Sequence, residues 1–393
     1  MGLTGSLPGA GGIGIPRRSA THPLRHLDAT LIAATLVLLG VGVIMVYSAS
    51  STRLEVQGID PQHFLKRQLL GITIGVLALV IVLLFDYRRY RGWAPVLYGG
   101  GIILLIGVLT PLGSEVNGAS GWYNLPGFQI QPAEVVKPVL VIVLAAVAAR
   151  DEGELSLQRF GQVLGLAALP IALIVLQPDI GTAMVCSAIL FSILLVAGAK
   201  LRHLAALALI GIVLVFGAFQ VGVVEDYQKT RLTAFLDPSS DPKASGYNLR
   251  QSQIAIGSGG ITGRGLFEGT QTNLSYVPEQ HTDFIFTAIG EELGYVGTMS
   301  VLFLYALIVW RGIRIAMLSR DYFGTVLAAG ATAAIAAQAF LNIGVTVGVM
   351  PVTGVTLPFI SYGIGSVIMT CVLVGLLVNV HMRRMIVSPT GAL

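Results

Sequence analysis

The chain has 393 residues, of which 54% are hydrophobic and 11% are charged, and its mean hydropathy is +0.80. In a soluble domain, about a quarter of the residues are charged. This composition therefore excludes an ordinary soluble protein and indicates a polytopic membrane protein. The net charge of +4 does not indicate a nucleic-acid partner, because the basic residues lie between apolar segments and mark membrane topology.

The N-terminal segment 1–26 is rich in glycine and proline, basic, and without an apolar core, which predicts a flexible extension. The apolar run at about 29–49 is too long for the core of a signal peptide, and no small-residue cleavage pattern follows it. We expect this run to remain as the first transmembrane helix. The transmembrane domain is then expected over 27–384, followed by a short tail, 385–393.

Apolar runs that can cross a bilayer at 1.5 Å per residue occur ten times along the chain. They predict an all-α polytopic membrane protein with ten transmembrane helices. The boundary between the fifth and sixth helices is the weakest, since the fifth is short and ends at Gln177-Pro178-Asp179. The predicted spans are about 29–49, 65–85, 93–112, 132–149, 162–177, 180–199, 203–222, 284–310, 322–348 and 362–382.

Basic residues predict the orientation of these helices. With a cytoplasmic N-terminus, fifteen Lys and Arg residues lie in the inner segments, and only Arg53, Lys66 and Arg67 lie in the short outer segments. Positive charge is enriched on the cytoplasmic side of membrane proteins, and long loops are left out of the comparison. Both termini are therefore expected to be cytoplasmic, and one long loop, 223–283, between the seventh and eighth helices is expected to face outward.

The long loop has a composition that argues against simple disorder, and loops of this length are commonly functional. The segment Tyr247–Ile256 mixes apolar and polar residues in a way that predicts a short interfacial helix. A glycine run then surrounds Arg264, over 257–265. Glycines let backbone N–H groups approach an anion, but they are equally common in plain turns, and the sequence leaves both interpretations open.

The end of the loop, Pro278–Phe284, brings carboxylate, imidazole, hydroxyl and amide groups together. Asp283 has two interpretations here. It is either, with Thr282, a candidate N-cap of the eighth helix or a partly desolvated carboxylate whose raised pKa suits a general base. One residue could also serve both purposes. His281 is likewise either a solvated loop residue or a member of a functional site.

Charged residues at the ends of other predicted helices are also candidates, because such groups are costly in a membrane. Glu134 and Lys137 lie at i and i+3 on one helical face. They form either an internal ion pair or a site whose ammonium meets a phosphate. Asp179 is either an N-cap of the sixth helix or part of the same site.

Two further stretches have unusual composition. Glu291 and Glu292 are adjacent on the predicted eighth helix, so one of them is expected to face the bundle interior. The segment 350–363 holds two prolines among apolar residues. It predicts an ordered re-entrant segment, because irregular backbone at membrane depth must be buried in protein or line a cavity.

Several of these stretches, in this order along the chain, resemble the SEDS family of bacterial cell-wall proteins, from about Leu27 to Arg384. The runs Gly269–Gln271 and Glu279–Asp283 resemble its RodA, or elongation, branch rather than FtsW, the division counterpart. The resemblance is carried by Gln131–Lys137, Gln177–Thr182, Gln251–Gly260, Pro278–Phe286, Gly290–Gly294 and Leu357–Gly363.

The resemblance implies a peptidoglycan glycosyltransferase that polymerises lipid II at the outer face of the cytoplasmic membrane during elongation and releases undecaprenyl pyrophosphate. The family's catalytic aspartate falls on Asp283, which would be the general base. The acid and the lysine of the family's fourth-helix motif fall on Glu134 and Lys137, and a further aspartate of the family falls on Asp179.

Cations near the outer surface would stabilise the charge that develops on the pyrophosphate leaving group, and Lys137, Arg250 and Arg264 are the candidates. A divalent cation, Mg²⁺ or Mn²⁺, could share this task, although no cofactor is evident. Cys186 and Cys371 lie in apolar spans without metal-ligand spacing, so no bound metal is predicted. The remaining supporting residues expected from the motifs are Gln280, His281, Glu292 and Ser361.

The expected partners are a class B penicillin-binding protein that crosslinks the strands, other elongation-complex proteins, lipid II with the nascent strand, and membrane lipids. Two other classes of function remain open. A lipid II flippase or transporter would also use intramembrane acids around a central cavity. A non-catalytic scaffold of the wall-synthesis complex would leave the outward acids unexplained.

Overall fold

A computed structural model of the chain describes residues 26–116, 119–125, 128–150, 153–221, 230, 231, 233, 235, 237 and 245–384. Most of both predicted flexible ends lies outside the described residues, as does most of the long loop before 245.

All ten predicted spans are helices. By length and composition, seven helices of the described chain could cross a membrane, and two shorter apolar helices accompany them. The chain is therefore a largely helical polytopic membrane protein. The ten helices are α1 (Ala29–Val56), α2 (His63–Leu84), α3 (Tyr87–Val108), α4 (Pro132–Ala148), α5 (Leu157–Leu176), α6 (Ile180–Val196), α7 (Leu201–Val221), α10 (Ile285–Met317), α11 (Tyr322–Val347) and α12 (Ile364–Arg383).

From residue 245 onward, the long loop contains two more helices, α8 (Ser245–Ser258) and α9 (Thr270–Asn273). A helix predicted over Tyr247–Ile256 is thus present as α8, which packs against α10 and α11. Its Leu249, Ser252 and Ala255 are buried, and the Ser252 hydroxyl donates to the Thr346 carbonyl at 2.7 Å. These contacts fix the loop to the bundle.

A small antiparallel sheet between α3 and α4 was not predicted, and it is a minor addition to a chain that is helical as expected. Its strands are β1 (Ser114–Val116), β2 (Ala119–Leu125) and β3 (Phe128–Ile130), in that order. Two of the three strands are only three residues long, so no alternation of apolar and polar residues marks them. The Tyr123 hydroxyl donates to the Leu104 carbonyl at 3.0 Å and ties the sheet to α3.

Helices α4, α11 and α12 are largely buried, whereas few residues of α2, α3 and α5 are buried. Helix α12 packs along α2, and α11 packs against α6 and α10. Because these exposed faces are apolar, they suit contact with lipid. The end of the bundle that carries Asp179, Asp283 and the sheet is called the loop end below.

Helix α10 is broken at Gly294, which has φ 63° and ψ −160°. The glycine run of the long loop packs against this break and forms backbone hydrogen bonds with the residues on both sides of it. The amides of Arg264 and Gly265 donate to the Glu291 and Glu292 carbonyls at 3.0 and 3.1 Å. In return, the amides of residues 295 and 296 donate to the carbonyls of residues 260 and 261 at 2.9 and 3.1 Å.

The close approach of the loop backbone to the α10 backbone explains why the loop has glycines at these positions. A Cβ at Gly259 would overlap the Gly290 carbonyl, and one at Gly263 would overlap the Glu292 carbonyl. Because two amides of the run are used within the protein, the anion-binding interpretation of this run is not supported. The run is a packing element of a discontinuous helix, in which a partner segment satisfies the freed backbone groups.

Gly294→Ala is expected to destabilise the fold by about 1–3 kcal/mol or more. Its backbone lies in a region that only glycine adopts readily, and the new Cβ would overlap the Gly263 amide. Thermal unfolding of the purified protein in detergent measures the effect. Gly99→Ala is the matched control, since no atom lies within 4 Å of a Cβ there, and it should stabilise the helix by about 0.5–1 kcal/mol. Equal melting temperatures for the two variants would contradict the role given to Gly294.

The predicted re-entrant segment, 350–363, is irregular and largely buried. Leu357, Phe359 and Ile360 are at most 1% exposed. Helix α1 approaches this backbone so closely that a Cβ at Gly42 would overlap the Phe359 carbonyl. The segment is therefore enclosed by protein, as irregular backbone within a membrane protein must be.

Candidate active site

Asp283 lies two residues before α10, and its amide donates to the Glu279 carbonyl at 3.2 Å. It does not cap the helix: the N-cap is Phe284, and no side-chain hydrogen bond is made there. The carboxylate is half-buried, and burial raises its pKa to about 6. The N-cap interpretation is therefore wrong for Asp283, and its raised pKa is suited to a general base.

The charges around Asp283 act in opposite directions. The Arg231 guanidinium lowers the pKa of Asp283, whereas Glu279 and Asp179 raise it, all by less than burial does. Arg231 also donates to the Val352 carbonyl at 3.4 Å. A Cβ at Gly354 would lie 3.7 Å from the Asp283 carboxylate and 3.8 Å from the Arg231 guanidinium. Acid, cation and re-entrant segment thus meet at the loop end.

Arg231 was not predicted. A single basic residue in a long polar loop has no spacing that distinguishes it, and the long loop does not enter the topology count. Among the predicted cations, Arg250 on α8 is exposed. Arg264 is also exposed, and its Nε donates to the Ser258 carbonyl at 3.2 Å. The structure brings Arg231, rather than these two, to Asp283.

His281 is buried in an aromatic environment, so the solvated-loop interpretation is wrong. Its ring centroid lies 4.4 Å from that of Phe64 and 5.7 Å from that of Tyr362. Burial lowers the pKa of His281 to about 4, and the nearby Arg53 adds to the effect. The imidazole is therefore neutral at neutral pH and can donate or accept a hydrogen bond without carrying charge.

Ser361 and Gln280 support the loop segment that precedes Asp283. The Ser361 hydroxyl donates to the Thr282 carbonyl at 2.5 Å and accepts from the Leu357 amide at 2.8 Å. The Gln280 side chain donates to the Thr272 hydroxyl at 3.0 Å. Both side chains are buried, so these contacts support the loop.

Asp179 caps α6 by accepting from the Thr182 amide at 2.9 Å, so the N-cap interpretation is confirmed. Its other oxygen accepts from the Gln131 side chain at 2.8 Å, which links the start of α6 to the start of α4. Burial raises the pKa of Asp179. Asp179 also lies close enough to Asp283 to raise the pKa of Asp283. The same residue therefore caps α6 and contributes to the electrostatics of the site.

Glu134 and Lys137 form a buried ion pair with a nitrogen–oxygen distance of 2.8 Å. Lys137 is only 1% exposed, and its ammonium also donates to the Gln338 carbonyl oxygen on α11 at 2.7 Å. An ammonium held in this way is not available at the surface. The structure therefore favours the internal pair over the prediction of Lys137 as an outer-facing cation.

Glu291 and Glu292 are both buried, although one alone was expected to face inward. Glu291 accepts from the Gln271 and Thr272 amides at 2.7 and 3.0 Å, at the start of α9. Glu292 accepts from the Ser48 hydroxyl at 2.5 Å and from the Phe267 amide at 3.2 Å. The break at Gly294 follows directly, and both carboxylates fasten the long loop to α10 and α1.

Known proteins resemble this chain over most of its length. A family model described as a cell cycle protein, covering FtsW, RodA and SpoVE, matches residues 29–386. The chain belongs to this SEDS family. Stage V sporulation protein E of Bacillus subtilis is 39% identical over 90% of this chain and 96% of its own length. Peptidoglycan glycosyltransferase MrdB of Escherichia coli K12 is 36% identical over 92% of this chain and 95% of its own length.

Solved structures of SEDS proteins share the fold. A chain of a peptidoglycan synthase complex that coordinates polymerization and crosslinking superposes with a TM-score of 0.76 at 31% identity, covering 91% of this chain and 98% of that one. The rod shape determining protein RodA of Thermus thermophilus superposes with a TM-score of 0.67 at 29% identity, with the same coverage. These matches are consistent with the RodA branch of the SEDS family.

Proposed function

We propose that this SEDS protein is a peptidoglycan glycosyltransferase that polymerises lipid II during cell elongation. The observation that carries the proposal is Asp283, a half-buried carboxylate with a pKa raised to about 6, beside Arg231 and an enclosed irregular segment. The names of relatives such as the glycosyltransferase MrdB support the same activity. The loop end would face outward across the inner membrane, with ten spans and both termini cytoplasmic.

In the proposed reaction, the Asp283 carboxylate accepts the proton of the acceptor sugar's 4-hydroxyl. The hydroxyl oxygen forms a bond to the anomeric carbon of the growing strand, while the bond from that carbon to the pyrophosphate oxygen breaks. Undecaprenyl pyrophosphate leaves with the bonding electrons, and the proton passes from Asp283 to solvent. A single displacement inverts the configuration at the anomeric carbon.

The leaving pyrophosphate gains negative charge in the transition state, and fixed cations stabilise such charge. Arg231 is the cation that the fold brings to Asp283, and Arg250 and Arg264 are exposed on the same loop. No cluster of three metal-ligating side chains occurs in the described part of the chain. A divalent cation bound to the substrate's phosphates would supply further positive charge there.

The proposed partner is a class B penicillin-binding protein that crosslinks the strands, as the solved peptidoglycan synthase complex suggests by its combination of polymerization and crosslinking. Other elongation-complex proteins and membrane lipids complete the expected surroundings. Because polymerisation could require this partner, the activity is measured both with and without it.

The experiment that tests the proposal is glycan-strand formation from labelled lipid II by the purified wild-type protein. The assay is run with and without a class B penicillin-binding protein that has no polymerase activity of its own. Strand formation in either condition is the expected result. If no strand forms with or without the partner, and the protein moves lipid II across liposome membranes, the protein is a flippase and not a transferase. If it neither forms strands nor moves lipid II, the scaffold function is the one supported.

The pH dependence of the rate identifies the base. Because only the ionised carboxylate accepts a proton, we expect the rate to fall below about pH 6, by roughly tenfold per pH unit. Steady-state rates from about pH 3.5 to about pH 8 in a buffer series would cover both a fall near pH 6 and a fall near pH 4. A limb centred near pH 4, where His281 or an unperturbed aspartate titrates, would contradict the assignment.

A further inference from the structure

Helix α11 presents two buried amides one turn apart, Gln338 and Asn342, to the irregular segment 350–363. Each is 1% exposed, and residues at i and i+4 share one face of a helix. Neither amide was singled out by the sequence. Their contacts connect the Glu134–Lys137 pair at one end with Asp283 at the other.

Asn342 joins Asp283 to the re-entrant segment. One nitrogen, Nδ2, donates to the Asp283 carbonyl at 2.8 Å and to the Val355 carbonyl at 2.7 Å. Val355 follows Gly354, where an added Cβ would lie 3.7 Å from the Asp283 carboxylate. The Asn342 side chain therefore sets the distance between the Asp283 backbone and the Val355 backbone.

Gln338 fixes the next residue of the same segment. Its nitrogen donates to the Thr356 carbonyl at 3.1 Å and to the Ser366 hydroxyl at 3.1 Å. Its oxygen accepts from the Lys137 ammonium at 2.7 Å. Since an ammonium can only donate, Lys137 dictates the orientation of the Gln338 amide, and Glu134 holds Lys137 in place.

We propose that Asn342 is a positioning residue for the Asp283 general base, and that Gln338, oriented by the buried Glu134–Lys137 pair, extends the same support along the re-entrant segment. The inference rests on the proposed transferase function. It gives the buried ion pair a role that requires no contact with substrate.

The physical reason is that 353–358 is neither helix nor strand, so its carbonyls depend on side-chain donors. Buried carbonyls without a donor are unfavourable, and the segment would move to reach new partners. Displacement of a catalytic group by about 1 Å can lower a rate by about 10²-fold. Loss of Asn342 should therefore reduce the rate of the chemical step more than the binding of lipid II.

The test compares Asn342→Leu with Asn379→Leu in the full-length protein. Asn379, at the opposite end of the bundle, is a matched control: its nitrogen also donates to two backbone carbonyls, those of Val82 and Phe85, at 2.6 and 2.8 Å. Per folded molecule, Asn342→Leu is expected to lower kcat by on the order of 10- to 100-fold, with KM changed by less than about twofold. Asn379→Leu should lower the folded fraction only.

A second readout separates positioning from general damage. The charged groups that act on Asp283 are Arg231, Glu279 and Asp179, and none of them is altered in Asn342→Leu. A looser segment admits water to Asp283 and reduces its desolvation, so the acidic limb of the rate profile should shift to lower pH. Asn379→Leu should retain the wild-type limb.

Equal kcat, KM and acidic limb for Asn342→Leu and the wild type would overturn the inference while leaving the transferase function intact. Absence of polymerisation by the wild type would instead mean that the proposed function has failed. If Asn342→Leu does not fold, Asn342→Ser and Gln338→Met replace it. A normal kcat per folded molecule in both of these variants would also overturn the inference.

Discussion

Asp283→Asn is expected to lower the polymerisation rate by about 10²- to 10⁴-fold, which is the usual contribution of a general base. The amide has nearly the same shape but cannot accept the proton. Unfolding should not contribute to the loss. Because burial raises the pKa of Asp283 to about 6, the protonated form favours the folded state, and the carboxylate lowers stability as the pH rises through 6. A neutral amide should therefore be tolerated.

The measurement is the initial rate of strand formation from labelled lipid II, with thermal unfolding of each variant recorded in parallel. Asp60→Asn is the matched control. Asp60 is an exposed aspartate in the predicted outer turn after α1, paired with Lys66 at 2.6 Å, and exposed pairs contribute little. A rate for Asp283→Asn within about threefold of Asp60→Asn would rule out Asp283 as the base.

Lys137→Met is expected to destabilise the protein by about 3–5 kcal/mol, because it leaves the Glu134 carboxylate buried without its cation. The Gln338 oxygen loses its donor as well. Thermal unfolding in detergent, followed by the loss of the monodisperse protein on size-exclusion chromatography, measures the change.

The double variant Glu134→Met/Lys137→Met provides the comparison, since replacing both members of a buried pair by apolar groups is often nearly neutral. It should recover most of the stability lost in Lys137→Met. If the double variant were as unstable as the single one, the pair would not be the source of the effect. Because its Gln338 amide is no longer oriented by an ammonium, the double variant should remain impaired in catalysis.

The sequence predicted the position of every long helix, because about twenty consecutive apolar residues are a strong and local signal. It missed the starts of α3 and α5 by six and five residues, at Tyr87 and Leu157. Both helices begin with a polar turn after a capping side chain, Asp86 or Ser156, and a hydropathy window undervalues such turns. The sheet was missed because its short strands gain their stability from α3 and α4, not from a pattern of their own.

The site was predicted in part. Asp283 and the nearby polar residues stand out because they form a dense polar run before an apolar helix. Asn342 and Gln338 could not be found in this way, since an isolated amide within an apolar helix is also typical of helix packing. Arg231 reaches Asp283 only through the path of the long loop, and no local pattern contains that information.

The break in α10 has a consequence for the biogenesis of the protein. The loop residues 259–265 are synthesised before α10, yet their amides and carbonyls find their partners only when that helix arrives. Without the loop, the carbonyls of Glu291 and Glu292 can accept from the amides of residues 295 and 296, because these groups are i to i−4 partners in a regular α-helix. The break at Gly294 therefore depends on the loop, and α10 takes its broken form only when residues 259–265 are packed against it.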